Sequence, residues 1–151
     1  MKPHIIKATT IIQRPIAEVF SFFSKAENLS LLTPPGMSFS IKTPLPIEMR
    51  KGTLIDYRIK VDGIPYSWRT EITLWEPPHR FLDIQLKGPY SQWEHEHQFR
   101  ETAAGITEMT DIVKFKSPGG LLEPLIHHLY VKGKVEGIFR HRENKLKEIF
   151  K

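Results

Sequence analysis

The sequence predicts an α+β domain in which a curved antiparallel sheet wraps around a long C-terminal helix, and three observations carry that prediction. The residues on either side of Asp62-Gly63 alternate between apolar and polar, as the two strands of a hairpin do. The stretch from Ser91 to Arg100 alternates in the same way and finds a complementary partner in Ile106 to Lys116. Residues 121–150, in contrast, carry their apolar side chains at helical spacing. An antiparallel meander that must cover one face buries it most simply against such a helix.

The elements follow in order. Residues 4–13 read as a strand, and Pro15 fits the first turn of a helix, where its missing N–H is harmless. Ile16, Val19, Phe20 and Phe23 mark that helix's buried stripe. A second short helix covers Asn28 to Leu32 and stops before Pro34-Pro35, because the residue before a proline is pushed out of the α region. In the first hairpin Ile55, Tyr57, Ile59 and Val61 share a face with Ile64, Tyr66, Trp68, Thr70, Ile72 and Leu74. Pairing Val61 with Ile64 sets Asp56 opposite Arg69, so turn, pattern and charge agree.

After Pro77-Pro78 a further strand carries Leu82, Ile84 and Leu86 on one side, and Gly88-Pro89 ends it. The next strand places Trp93, His95, His97 and Phe99 on one face. Its partner places Met109, Asp111, Val113 and Phe115 on one face, and Ala103, Ala104 and Gly105 form a three-residue loop between the two. This register sets Phe99 opposite Met109, Glu94 opposite Lys114, Arg100 opposite Glu108 and His97 opposite Asp111. Pro118-Gly119-Gly120 ends the sheet, and one helix follows over 121–150 with Pro124 in its first turn. Leu121, Leu125, Leu129, Val135, Phe139, Leu146 and Ile149 form its expected apolar stripe, and Gly133 and Gly137 mark close packing or a bend.

At 151 residues, 40% hydrophobic and 26% charged, the chain reads as a single domain over 1–151 rather than a disordered segment. The absence of Cys excludes disulfides, thiolate metal sites and Cys nucleophiles. Met1 to Gln13 lacks the apolar run of a signal peptide and no segment is long enough to span a membrane, so a cytoplasmic location is expected. The formal charge of +5 is concentrated late, in Lys132, Lys134, Arg140, Arg142, Lys145, Lys147 and Lys151. Glu136, Glu143 and Glu148 interrupt that run, which reads as a solvated helix face and predicts no specific nucleic-acid partner. No phosphate-cradling loop or dinucleotide fingerprint occurs.

Polar groups interrupt the inward pattern at His95, His97 and Asp111, beside Tyr57, Tyr66, Trp68 and Trp93. Aromatic side chains with polar tips and a few ionisable groups are the usual lining of a small-molecule site. His97 and Asp111 read either as a mutually satisfied pair inside the sheet or as an orienting pair for a general base. His95, His97 and Asp111 offer three metal ligands without an evident fourth, so no metal or other cofactor is expected. No serine sits in a nucleophile elbow, and no catalytic residue is assigned.

The segment "RPIAEVFSFFSKAENLSLLTPP" and the pattern "WEHEHQFRE" followed by "GITEMTDIVKFKSPGG" resemble the SRPBCC superfamily, which includes START lipid-transfer domains, Bet v 1-like proteins and polyketide cyclases. The residues carrying the second likeness are Trp93, His95, His97, Phe99, Asp111, Val113, Pro118 and Gly120. The resemblance implies a helix-grip fold of about six to seven strands around the terminal helix, enclosing a hydrophobic cavity. It implies binding, transport or sequestration of a lipid, a polyketide or another apolar metabolite, and no single reaction. The expected ligand contacts are Tyr57, Ile59, Tyr66, Trp68, Trp93, His95, His97, Met109, Asp111, Phe115, Leu125, Leu129 and Phe139. The alternative is a cyclase, hydratase or hydrolase using His97 and Asp111 as acid or base.

Overall fold

The alternating segments of the sequence become seven strands in the computed structural model, which describes residues 2–151. They are β1 (His4–Ile12), β2 (Ser40–Ile41), β3 (Leu54–Val61), β4 (Ile64–Glu76), β5 (Arg80–Lys87), β6 (Gln92–Ala103) and β7 (Ile106–Lys116). All pair antiparallel in the order β1-β7-β6-β5-β4-β3-β2, so the first strand lies beside the last. The pairing of β4 with β5 slips at Arg69/Thr70 and again at Ile72/Leu74. Such irregularities bend a strand and help the sheet to curl.

Both predicted registers are present. Val61 faces Ile64 and Asp56 faces Arg69, whose Nε–H donates to Asp56 Oδ1 at 2.8 Å. Asp62 and Gly63 take φ values of 51° and 80°, as a two-residue turn with two left-handed positions requires. In the second hairpin Glu94, His97, Phe99 and Arg100 face Lys114, Asp111, Met109 and Glu108. The ladder slips by one residue after Glu101 and closes with Ala103 opposite Ile106.

The helix α1 (Ile16–Phe23) buries Val19, Phe20 and Phe23 against β6 and β7, and Pro15 caps it rather than lying within it. Burying side chains of this size contributes about 1.5–3 kcal/mol each. A 3₁₀ turn (Ala26–Asn28) leads into α2 (Leu29–Leu32), which ends at an extended Thr33 as expected. One core cluster joins α1 to Ile72, Phe81, Phe99, Met109 and Leu146. A second joins Val113 and Phe115 to Val131, Val135 and Phe139.

The C-terminal stretch is continuously helical but not uniform. A 3₁₀ turn (Gly120–Leu122) precedes α3 (Glu123–Ile126), then a π turn (His127–Val131), then α4 (Lys132–Ile149). The expected stripe holds for Val135, Phe139 and Leu146, which are buried, but not for Leu121, Leu125 and Leu129, which are 98%, 55% and 72% exposed. Ile149, at the stripe's other end, is also exposed. An α-helix turns about 100° per residue, so the extra residue taken up by a π turn rotates the preceding leucine row away from the face that α4 buries. Glu123, Ile126 and Val131 turn inward there instead.

Gly133 and Gly137 do not mark close packing. A side chain at Gly133 would meet nothing within 4 Å, and one at Gly137 only the Arg140 guanidinium at 3.9 Å. The irregularity in the helix is the π turn, which precedes both glycines.

Candidate functional site

Between the concave face of the sheet and α4 lies a cavity of about 570 Å³. Small-molecule pockets are usually about 300–1,000 Å³. The apolar wall is built by Tyr57 and Ile59 of β3, Trp68 of β4 and Trp93 of β6. Leu32, Met37 and Phe39 close it from the α2 side, and Ile138 and Phe139 from α4. A smaller recess of about 90 Å³ under α1 and α2 shares Leu32, Phe39, Tyr57, Asp83, His97 and Arg142 with the main cavity. Gly133, an exposed residue, and Gly137 also border the cavity.

The aromatic wall is held in place before any ligand arrives. Tyr57 stacks on Trp68 at 5.7 Å, and Trp68 meets Trp93 edge-on at 5.7 Å. The Trp68 indole N–H donates to Thr70 Oγ1 at 3.0 Å, which leaves its ring face free for apolar contact. Burial pushes the Tyr57 phenol up and the Tyr90 phenol up to about 12, so both keep their protons. At the rim, Lys134 Nζ donates to Asp62 Oδ1 at 2.6 Å and ties α4 to the β3–β4 turn.

One end of this apolar space is ionic. His97 Nε2 is bonded to Asp83 Oδ2 at 2.6 Å, and His95 Nε2 to Asp111 Oδ1 at 2.7 Å. Arg142 donates to both oxygens of Asp111, at 3.2 and 3.3 Å. The two imidazoles stack at 3.7 Å, and Phe81 covers His97 from 4.0 Å. Four elements meet in this cluster: β5 brings Asp83, β6 the histidines, β7 Asp111 and α4 Arg142.

Burial opposes every charge in the cluster, and neighbours decide which charges survive. Burial alone would raise Asp111, but the Arg142 charge and the two histidines hold its carboxyl well below the ordinary range. Asp83 is lowered for the same kind of reason, chiefly by its bond from His97. Burial and the charge of His97 push His95 down despite Asp111. His97 is pushed up, because Asp111 and Asp83 together outweigh its burial. Burial and the neighbouring imidazole thus favour a neutral His95, while the two carboxylates favour the charged form of His97.

Of the expected contacts, Tyr57, Ile59, Trp68, Trp93, His95, His97 and Phe139 reach the cavity wall. Asp111 lies behind the histidines, and Tyr66 sits half-buried nearer the hairpin tip. Met109 and Phe115 are consumed by the two core clusters, and Leu125 and Leu129 face solvent for the reason given above. His97 does stand opposite Asp111, but its hydrogen bond goes to Asp83; its Nδ1 is 3.5 Å from Asp111 Oδ1 and makes no hydrogen bond.

Asp83 and Arg142 are absent from the expected set. Asp83 was masked by Leu82, Ile84 and Leu86, whose alternation reads as the inner face of β5, whereas Phe81 and Asp83 share the inner face with His97 and His95. Arg142 reads as part of a solvated face, yet it is 6% exposed. Its spacing held the signal, since it follows Phe139 by three residues and precedes Leu146 by four. As metal donors, Asp83, His95 and His97 bring ligand atoms within 4.8 Å of one another. Both Nε2 atoms are held by carboxylates and Arg142 pairs with Asp111, while His97 Nδ1 has no hydrogen-bond partner.

No family model matches the chain, and no curated protein matches it. Solved structures do. The Zhui aromatase/cyclase from Streptomyces sp. R1128 superposes with a TM-score of 0.75 at 17% identity, over 95% of this chain and 91% of that one. Ara h 8.0201 superposes with a TM-score of 0.65 at 20% identity, over 97% and 99%. The fold is the helix-grip fold. A START superfamily protein from Mycobacterium smegmatis shares it too, with a TM-score of 0.66 at 12% identity over 97% and 99% of the two chains. The helix-grip architecture expected from the SRPBCC resemblance is thus present, with the sheet curled around α4.

Proposed function

We propose that the protein binds a small, mainly apolar molecule in the cavity between the sheet and α4, with the Asp83–His97 and His95–Asp111–Arg142 groups receiving a polar substituent. The observation that carries this reading is the contrast within one cavity: aromatic and aliphatic walls, and a buried ionic cluster at the end away from the rim. Expelling water from the walls supplies affinity at about 25 cal/mol per Å² buried, before ordering costs. The ionic end supplies selection, because a ligand that leaves buried polar groups unmatched loses affinity.

The test compares a naphthol with naphthalene by calorimetry. His97→Ala weakens the naphthol more than the hydrocarbon under this reading; equal losses for both argue against an orienting role. A second reading, catalysis of the cyclase, hydratase or hydrolase type, draws support from His97 at the cavity wall, whose two carboxylate neighbours favour its charged form and so suit it to donate a proton. It predicts turnover of a bound compound that His97→Gln abolishes while binding persists.

A further inference from the structure

A second cluster of metal-type donors lies outside the cavity, where the sheet meets the C-terminal helix. His4 opens β1, Glu123 opens α3 and His127 opens the π turn, and one ligand atom from each lies within 4.8 Å of the others. The rings of His4 and His127 are parallel within 5° at 3.4 Å. Glu123 is 4% exposed, and among the described residues its only ionic partner is an imidazole, that of His4. Neither Lys nor Arg lies beside this carboxylate among the ion pairs of the described residues, so a bound cation would add the positive charge that Glu123 otherwise has only from His4.

The buried Ser117 organises both halves of the cluster. Its backbone N–H donates to Glu123 Oε1 at 2.9 Å, and its hydroxyl is hydrogen-bonded to His127 Nδ1 at 3.3 Å. With Nδ1–H donating to that hydroxyl, His127 Nε2 keeps its lone pair. Partners of this kind are what orient and fix the tautomer of metal-ligating side chains.

We propose that His4, Glu123 and His127 form a site for one divalent transition ion of the zinc type. Two imidazoles and a carboxylate match Zn²⁺ and leave a fourth position for water, whereas Mg²⁺ and Ca²⁺ prefer all-oxygen sets. Tetrahedral bonds of about 2.0–2.2 Å put ligand atoms about 3.3 Å apart. The present His4 Nε2–Glu123 Oε1 contact of 2.8 Å therefore opens, and the His4 ring turns out of its stack on His127 so that the two imidazole lone pairs converge on the ion. The ion would cross-link the first strand to the start of the terminal helix. The site shares no residue with the cavity and does not depend on what the cavity binds.

The test is calorimetric titration of the untagged full chain with Zn²⁺. One ion per chain is expected, with binding at least tenfold weaker in His127→Ala and in Glu123→Gln, about 10–100-fold weaker in Ser117→Ala, and unchanged in His95→Ala. Unaltered binding in His127→Ala, loss in His95→Ala, or no binding at all overturns the proposal. Wild-type protein titrated with paramagnetic Co²⁺ removes any dependence on folded variants. Broadening of the His4 and His127 imidazole resonances supports the site, and broadening of His95 and His97 instead overturns it.

Discussion

His97 is held between two carboxylates, and that position fixes the sense in which it couples to stability. Its pKa in the folded protein lies above the ordinary 6.5, so the stability it contributes is fully present below that value and is lost as pH rises through the raised one. His95, Asp83 and Asp111 run the other way: their folded values are lowered, and their contributions disappear as acid takes the pH down through them. The difference in urea stability between wild type and His97→Gln should therefore be largest below about pH 6.5 and shrink as pH rises through the raised value. A difference that grows over that range would place the proton elsewhere. The histidines and Asp111 were legible as polar residues on an apolar face. Asp83 was not, because a curved sheet also carries apolar residues on its outer face, and Leu82, Ile84 and Leu86 gave the stronger signal. Arg142 shows the complementary error, since a charged residue on a buried stripe reads as solvated unless its partner on another strand is known.

Hairpins were legible because two independent signals agree in each. Asp62-Gly63 fixes the turn, and the charge pair Asp56–Arg69 fixes the same register from the other face. The C-terminal helix was legible as helix but not in its phase, since nothing in residues 127–131 announces a π turn and the leucine row matches a regular α repeat. Gly133 and Gly137 acquire a different meaning once the cavity is known: they keep α4 thin where it borders that space. Replacing Gly137 with Ala should stabilise the protein by about 0.5–1 kcal/mol, because helix propensity improves and no neighbour is displaced. A rise in the urea midpoint with an unchanged slope checks this, and destabilisation would mean that the helix needs the glycine for packing.

On the scale of the whole molecule, a meander of hairpins must cover one face, and among the described residues the terminal helix is the long element left to cover it, which is why the architecture could be read before the structure. The cavity could not. Whether the inner side chains fill the space or leave it open depends on how far the sheet curls and on which helix residues face it, and the two glycines of α4 that border it are part of the answer. The two core clusters contain Phe81, Phe99, Phe115 and Phe139 between them, yet the space beside Tyr57, Trp68 and Trp93 stays open. Among the described residues no helix is long and apolar enough to cross a membrane.

Native mass spectrometry tests the central claim most directly, run on wild type and Gly137→Phe purified from the same cells and followed by solvent extraction. The account predicts a reproducible 1:1 apolar adduct on the wild type that is absent from the folded Gly137→Phe protein, whose added ring occupies the cavity beside α4. The same adduct on both proteins in equal amount would contradict it, because the ligand would then be bound somewhere other than the space between the sheet and the helix.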